Sequence, residues 1–147
     1  FPSVVLRPFL VYGPNQEKDR FIPQIIMGCM NNEKFPTSEG MQLRDFLYID
    51  DFVDAVFIIL KNKDVLGEII NIASGIPVPI RKVIKIIVDT LKSGQPQFGK
   101  IRYRDGENMK LYADISKIKT LLNWKPKVDL ETGILKTIES IKSKYFL

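Results

Sequence analysis

The residues with the clearest chemical potential are an arginine and an aspartate that stand side by side, Arg44 and Asp45. Arg44 follows a Ser-Glu-Gly loop that ends at Gly40, and it precedes an aromatic extended run and a helix that we expect Asp51 to cap. A guanidinium is planar and permanently charged, so at this position it could hold a phosphate through a bidentate fork. Surface ion pairs use the same residue types, and residue type alone leaves both interpretations open.

A second arginine, Arg104, opens an R-D-G-E run that reads as a tight turn at Gly106. We predict that Arg44 and Arg104 converge on one anion site, because both lie at loop ends along the rim of a layered α/β structure. Two guanidinium forks suit two phosphate groups, and each charged hydrogen bond contributes roughly 1.5–3 kcal/mol. The alternative is two unrelated surface arginines with the neighbouring carboxylates Asp45 and Asp105.

The composition excludes several other kinds of site. The sequence contains no histidine, so it forms no Ser-His-Asp or Cys-His arrangement and no histidine-containing metal site. The single cysteine, Cys29, cannot form an internal disulfide, and its place on an apolar helical stripe predicts a core residue. We therefore expect a cytoplasmic protein. No run of about 18 apolar residues predicts a membrane-spanning helix.

The net charge of +5 and the pI near 9.3 are compatible with two kinds of partner. A basic nucleic-acid-binding domain is one possibility. The lysines are scattered along helical segments instead of being grouped with aromatic residues, and a small phosphate-bearing ligand accounts for the excess equally well. Charge alone does not separate these two interpretations.

Apolar periodicity predicts alternating strands and helices. Continuous β-branched runs at 3–6 and 68–72 indicate buried strands, 43–49 indicates an aromatic strand, and 100–103 a further strand, whereas 10–14 reads as a loop. Apolar residues at helical spacing predict helices over 20–30, from Asp51 to about residue 61, and from Pro79 onward. Asp19 and Asp129 are candidate caps of the first and last helices. The pattern predicts an α/β layer structure.

Five stretches, in this order, resemble the motifs of one enzyme family. The run G-M-Q-L-R-D-F-L-Y-I-D-D-F-V-D-A-V (40–56) is similar to the R-D-aromatic segment of nucleotide-sugar epimerases and dehydratases, which are extended short-chain dehydrogenases/reductases. The other four are R-P-F-L-V-Y-G-P (7–14), N-I-A-S-G (71–75), R-D-G-E (104–107) and Y-A-D-I-S-K-I-K-T-L-L-N-W-K-P (112–126). In the last of them Asn123 replaces the family's glycine, and we expect it to be left-handed.

The resemblance implies that residues 1–147 are the C-terminal part of a Rossmann-type extended short-chain dehydrogenase/reductase. This part comprises the last Rossmann strands and helix, interleaved with a small lobe that binds the nucleotide sugar. No G-x-x-G-x-x-G occurs, and no tyrosine is followed by lysine four positions later. We therefore expect the NAD-binding part and the catalytic pair to precede residue 1, and the first strand to leave an unpaired edge or an exposed apolar face.

By resemblance, the full-length protein is an NAD(P)-dependent epimerase or dehydratase. A tyrosine base polarised by lysine removes a sugar hydroxyl proton while NAD or NADP takes the hydride. The implied partner is a nucleoside-diphosphate sugar, without nucleic acid or membrane, and the full-length protein is expected to be a homodimer. The chain alone is expected to be inactive and to hold no cofactor tightly. Two alternatives remain: a non-catalytic nucleotide-sugar-binding or scaffold member of the same fold, and a basic nucleic-acid-binding domain.

The resemblance also implies individual site residues, with no catalytic residue and no metal ligand among them. The family uses the region of Pro8 and Phe9 to line the nicotinamide. Leu10 stands where the family has an asparagine that reaches the substrate. Glu107 is expected to contact a sugar-phosphate hydroxyl or a neighbouring arginine. The full set of expected substrate contacts is Leu10, Arg20, Pro36, Thr37, Arg44, Asn71, Arg104 and Glu107.

Overall fold

The computed structural model describes residues 2–145. The helices in this part of the chain are α1 Phe21–Met30, α2 Ile49–Lys61, α3 Ile80–Leu91, α4 Ser116–Leu122 and α5 Leu130–Tyr145. The strands are β1 Val5–Pro8, β2 Leu10–Tyr12, β3 Lys34–Pro36, β4 Leu43–Tyr48, β5 Ile69–Ile72, β6 Pro77–Pro79, β7 Gln95–Gln97 and β8 Lys110–Leu111. A 3₁₀ turn at Lys63–Val65 leads into β5. This order of elements confirms the predicted mixed α/β structure.

The strand pairings are mostly parallel, and β4 takes part in most of them. β4 runs parallel to β2 and to β8, and antiparallel to β6. β3 and β7 form a separate parallel pair. β1 pairs in parallel with β5, and α2 lies between them in the chain as the crossover that parallel strands require. Within residues 2–145, β5 is the only strand beside β1, which confirms the expected open edge.

Two hydrophobic cores lie on opposite sides of β4. Because successive side chains of a strand point to opposite faces, Phe46 and Tyr48 enter a core with α1, α3 and α5, while Leu47 enters another with α2, α4 and β5. Among the strands of residues 2–145, only β4 is buried at consecutive positions, over 45–48, whereas β1, which the sequence predicted as a buried strand, has Val5 52% exposed because one of its edges is open. The stripe of α1 is buried as predicted, including Cys29, whose thiol pKa burial raises to about 11.

Several strand predictions were wrong. Residues 100–103 form no strand and instead belong to a long loop over 98–109. The expected loop over 10–14 begins with the strand β2. The two-residue strand β8 and the proline-containing strands β3, β6 and β7 were not predicted. These short strands exist because a distant partner strand lies beside them, and local sequence carries little of that information.

Two predicted helix caps were also wrong. The side chain of Asp19 does not cap α1, which starts after Arg20 without a side-chain cap bond. Helix α2 starts at Ile49, ahead of Asp51. The buried carboxylate of Asp51 instead accepts hydrogen bonds from the backbone N–H groups of Lys127 and Val128, at 3.0 and 2.9 Å. It therefore fastens the segment before α5 to the start of α2.

No helix among the described residues is long and apolar enough to cross a membrane.

Candidate functional site

Two cavities share a wall that is formed by Leu10 and Phe21. The first has a volume of about 490 Å³, and we call it the arginine cavity, because its polar wall contains Arg44, Arg102 and Arg104. The second has a volume of about 680 Å³, and we call it the phenylalanine cavity, because it is lined by Phe9, Phe21, Phe46 and Phe52. Together they offer a positively charged compartment beside an aromatic one.

Arg44 lies in β4 and is held by groups of the 98–109 loop. Its Nη1 donates hydrogen bonds to the backbone carbonyls of Leu43, at 2.8 Å, and Asn108, at 2.7 Å. Its Nη2 donates to Oε1 of Glu107, and the two side chains are 13% and 20% exposed. The ion pair is therefore half-buried in the wall of the arginine cavity, so water screens it less than a surface pair.

The turn that carries Arg104 forms as predicted. The N–H of Glu107 donates to the carbonyl of Arg104 at 3.0 Å, and Gly106 has a φ of 74°, which suits glycine. The loop around this turn is fixed by two backbone bonds, from Ile101 N–H to Thr37 at 3.0 Å and from Leu43 N–H to Met109 at 2.8 Å. The turn therefore projects from a loop that backbone hydrogen bonds hold on both sides of it.

A third arginine, which was not predicted from the sequence, lines the same cavity. Arg102 stands two positions before Arg104 in the 98–109 loop. The available signal was the two-residue spacing, because in the strand that the sequence predicted over 100–103 alternate side chains would share a face. Tyr103, between them, accepts a hydrogen bond on its hydroxyl from the N–H of Met41 at 3.1 Å, which ties the loop to the segment before β4.

Asp45 does not pair with Arg44, its neighbour in the sequence. Its fully buried carboxylate accepts hydrogen bonds from the N–H and hydroxyl of Ser74, at 2.8 and 2.6 Å. It also accepts from the N–H groups of Gly75, at 2.9 Å, and Ala113, at 3.3 Å. Asp45 therefore joins β4 to the segments that follow β5 and β8.

The structure sorts most of the predicted site residues into the two cavities. Pro36, Thr37, Arg44, Arg104 and Glu107 line the arginine cavity. Pro8, Phe9 and Arg20 line the phenylalanine cavity, and Leu10 lines both.

Asn71 is the exception, because it lines neither of these cavities. Its amide Nδ2 donates to the carbonyl of Asp114 at 3.0 Å, so in this structure it links β5 to the segment before α4.

Gln42 also lines the arginine cavity and was not predicted from the sequence. Its Oε1 is buried and has no hydrogen-bond partner, and its Nε2 lies 3.5 Å from the hydroxyl of Ser38. No group of three or more potential metal ligands occurs among residues 2–145. The charged side chains that line the cavity are Arg44, Arg102, Arg104 and Glu107.

The comparisons with known proteins agree with this fold. The model of the NAD dependent epimerase/dehydratase family matches residues 1–73. An uncharacterized UDP-glucose epimerase of Bacillus subtilis is 33% identical over 148 residues, a match that covers 98% of this chain and 46% of that protein. The structure of UDP-glucuronic acid 4-epimerase from Bacillus cereus in complex with UDP-glucuronic acid and NAD is 34% identical, with a TM-score of 0.88 over 98% of this chain and 46% of that one.

The parallel strand pairs and the helices that cover them define a Rossmann-like α/β protein of the short-chain dehydrogenase/reductase type. More particularly, the chain belongs to the NAD-dependent epimerase/dehydratase family. It spans a little less than half the length of the relatives it matches.

Proposed function

We propose that this chain is the C-terminal, substrate-binding portion of an NAD(P)-dependent nucleotide-sugar epimerase or dehydratase, and that the arginine cavity grips the nucleoside diphosphate. The observation that carries the proposal is the meeting of guanidiniums from β4 and from the 98–109 loop, which lie more than 50 positions apart, around one cavity. Side chains that distant in sequence share a wall because β8 pairs with β4 and brings the loop with it.

The charge of the cavity suits a diphosphate diester. Arg44, Arg102 and Arg104 carry three positive charges, and Glu107 carries one negative charge, so the four side chains sum to +2. A diphosphate that bridges a nucleoside and a sugar carries two negative charges. Charge-assisted hydrogen bonds from guanidinium to phosphate are shorter and stronger than neutral ones.

The phenylalanine cavity suits the nicotinamide end of the cofactor. Pro8, Phe9 and Phe52 give it apolar and aromatic walls that can pack against a planar ring. The cofactor, when bound, supplies a hydride acceptor at the sugar carbon. The residues of this chain would orient the ring and exclude water around it. The sequence has no G-x-x-G-x-x-G, so other residues of the whole protein would hold the pyrophosphate of the dinucleotide.

The chain by itself would bind substrate without turnover. None of its tyrosines is followed by lysine four positions later, so the pair that would polarise and deprotonate a sugar hydroxyl is missing from these residues. The work left to this chain is to fix the nucleotide, so that the sugar lies beside Leu10, between the two cavities. Holding a substrate in a reactive orientation is a substantial part of catalysis.

Isothermal titration calorimetry tests the proposal. We expect the 147-residue chain to bind UDP-glucose or dTDP-glucose more tightly than the matching nucleoside, uridine or thymidine, because the nucleoside lacks the diphosphate. Chromatography of the mixture after addition of NAD should show no conversion of the sugar. Equal affinity for the nucleotide sugar and the nucleoside would refute the proposed diphosphate site, and turnover by the chain alone would refute its assignment as the substrate-binding portion.

A further inference from the structure

The wall where the two cavities meet is apolar. Among the described residues, Leu10 and Phe21 are those that line both cavities. Leu10 begins the strand β2, which pairs in parallel with β4 and sets Leu10 beside Phe46. The side chain of Leu10 is apolar and yet 42% exposed. A ligand that extends from one cavity into the other therefore passes over an apolar surface.

The polar groups next to Leu10 in the chain are already paired. The N–H of Phe9 donates to the carbonyl of Ile72 at 3.1 Å, and the N–H of Val11 donates to the carbonyl of Phe9 at 2.8 Å. Phe9 and Val11 also line the phenylalanine cavity, whose polar side chains come from the 15–20 segment. A ligand group that lies against Leu10 therefore finds apolar side chains and backbone N–H groups that have partners.

The chemistry of this wall bears on the sugar of the ligand. The proposed function puts the sugar at the junction, because the diphosphate lies in one cavity and the nicotinamide ring in the other. A hydroxyl group set against an apolar wall loses water without gaining a partner, which is unfavourable. A methyl group at the same place buries apolar surface, which is favourable. The wall at Leu10 therefore discriminates between sugars by the group that they present to it.

We propose that Leu10 is a specificity-determining residue that selects the nucleotides of 6-deoxysugars over those of hexoses and hexuronic acids. The exocyclic C6 projects from a hexopyranose ring, and it is a hydroxymethyl group in a hexose, a carboxylate in a hexuronic acid and a methyl group in a 6-deoxysugar. This inference rests on the proposed function and names its substrate class. A substrate contact at Leu10 was expected from the sequence, and the exposure and apolar surroundings of the side chain give that contact its chemistry.

Calorimetry on the 147-residue chain tests the selection with three probes that share one nucleotide: UDP-6-deoxyglucose, UDP-glucose and UDP-glucuronic acid. We expect UDP-6-deoxyglucose to bind roughly tenfold more tightly than UDP-glucose, since apolar sites distinguish a single methylene or hydroxyl group by about 10–200-fold. UDP-glucuronic acid should bind more weakly still, because a carboxylate is harder to remove from water. Equal affinities for UDP-6-deoxyglucose and UDP-glucose, or tightest binding of UDP-glucuronic acid, would overturn the proposal.

Two variants test whether Leu10 causes the preference. Leu10→Asn supplies an amide that can hydrogen-bond to a hydroxyl group, so UDP-glucose should then bind more tightly than UDP-6-deoxyglucose. Leu10→Ala removes the apolar contact without adding a polar group, so the preference should shrink to within about threefold. The alanine variant supplies the test if the asparagine variant does not fold. A wild-type ratio of affinities in either folded variant would overturn the role of Leu10.

Leu66→Asn is the matched control. It makes the same substitution at a leucine that is 48% exposed and lines neither cavity. It should keep the wild-type ratio of affinities for UDP-6-deoxyglucose and UDP-glucose. A change of that ratio in Leu66→Asn as large as in Leu10→Asn would show that the effect does not arise at the junction, and would overturn the proposal.

The outcomes separate this inference from the proposed function. Nucleotide sugars that all bind more tightly than uridine, but with equal affinity, would support the proposed diphosphate site and overturn the selection by Leu10. Nucleotide sugars that bind no more tightly than uridine would refute both. A preference for UDP-6-deoxyglucose that Leu10→Asn reverses would support both.

Discussion

At the scale of single residues, the adjacent side chains of Arg44 and Asp45 make contacts with different parts of the protein. Arg44 and Asp45 read as a possible ion pair, but both lie in β4, where consecutive side chains point to opposite faces. Arg44 faces the arginine cavity, and Asp45 is buried among backbone N–H groups. Strand geometry therefore excludes the pair that the sequence suggested.

The first prediction concerns the carboxylate of Asp45. Asp45→Asn should lower the free energy of unfolding by about 2–3 kcal/mol, because the amide NH₂ would face N–H donors that now have an acceptor. Urea denaturation measures the change. Asp89→Asn, at an exposed position of α3, is the control and should change stability by less than about 0.5 kcal/mol. A change of less than about 0.5 kcal/mol in Asp45→Asn would show that the buried hydrogen bonds of Asp45 contribute little to the free energy of unfolding.

The second prediction concerns Asn123, which has the left-handed conformation expected from the sequence, with φ 48° and ψ 28°. Asn123→Gly should be neutral or slightly stabilising, whereas Asn123→Val should cost about 1 kcal/mol, since a β-branched residue is strained there. Thermal unfolding measures both. Lys125→Val, at an exposed position nearby that does not have a positive φ, should have a much smaller effect. Equal melting temperatures for the two Asn123 variants would contradict the prediction.

At the scale of elements, the predicted cap at Asp129 was confirmed, because its hydrogen bond is local. The predicted cap at Asp51 was wrong, because backbone N–H groups of a distant segment bind its carboxylate. Asp129 accepts a hydrogen bond from the N–H of Thr132 at 2.8 Å, three residues along the same helix start. Asp51 has the same residue type and a similar apolar sequence after it, but its carboxylate binds residues 127 and 128. Residue type made both aspartates candidates for helix caps. At Asp51 the 125–128 segment lies close enough to supply the hydrogen-bond donors instead of the helix.

The third prediction follows from the cap at Asp129. Hydrogen bonds from Thr132 lower the pKa of this carboxyl below its ordinary value of 3.8, so the unfolded chain takes up the proton first as pH falls. The stabilisation is therefore complete above about pH 5 and is lost as pH falls through the folded-state pKa. Asp129→Asn keeps a capping oxygen without titrating, so its stability relative to wild type should rise between pH 6 and pH 3. Denaturant unfolding at each pH measures the difference.

The control for that experiment is Asp129→Ala, which removes the cap as well as the charge. Its free energy of unfolding should be about 1 kcal/mol lower than that of wild type at pH 7, and this difference should become smaller as the pH falls to 3. If wild type and Asp129→Asn lose stability in parallel as pH falls, Asp129 is not responsible for the acid sensitivity.

At the scale of the whole molecule, helix α2 exposes an apolar stripe at positions 53, 57 and 60, which lie on one face of the helix. Phe57 and Leu60 on α2 are 58% and 73% exposed, and Val53 on the same helix is also exposed. Elsewhere, Val5 on the strand β1, which has an open edge within residues 2–145, is also exposed. These positions are separate from the two site cavities.

The fourth prediction is that this surface makes the chain associate as its concentration rises. Replacing Phe57 and Leu60 with glutamate should raise the concentration at which light scattering still reports a monomer. Unfolding free energy should change little, because both side chains are already exposed. Leu135→Glu is the control, since Leu135 is an exposed apolar residue on α5. An unchanged association in the double variant would show that the surface of α2 is not responsible.

The sequence by itself determined the features that depend on neighbours within a few residues. Helical periodicity located the buried faces of α1 and α3, and apolar runs located β5 and, two residues too early, β1. The order of the motifs identified the family, and local backbone chemistry predicted the turn at Gly106 and the conformation of Asn123. The turn and the left-handed residue depend on steric preferences within a few positions, and the helix faces are visible in the sequence because burial repeats at the helical period.

Only the tertiary structure decided which polar side chains are hydrogen-bonded to other groups of the protein. Arg44, Arg102 and Arg104 are the same residue type, yet Arg44 is held by Glu107, which lies 63 positions away, whereas within residues 2–145 no carboxylate lies within 4.0 Å of the other two guanidiniums. The partners of Asp45 and Asp51 come from segments between 29 and 77 positions distant. A polar side chain bonds to whichever donor or acceptor the packed chain brings within about 3 Å, and strand pairing sets that distance.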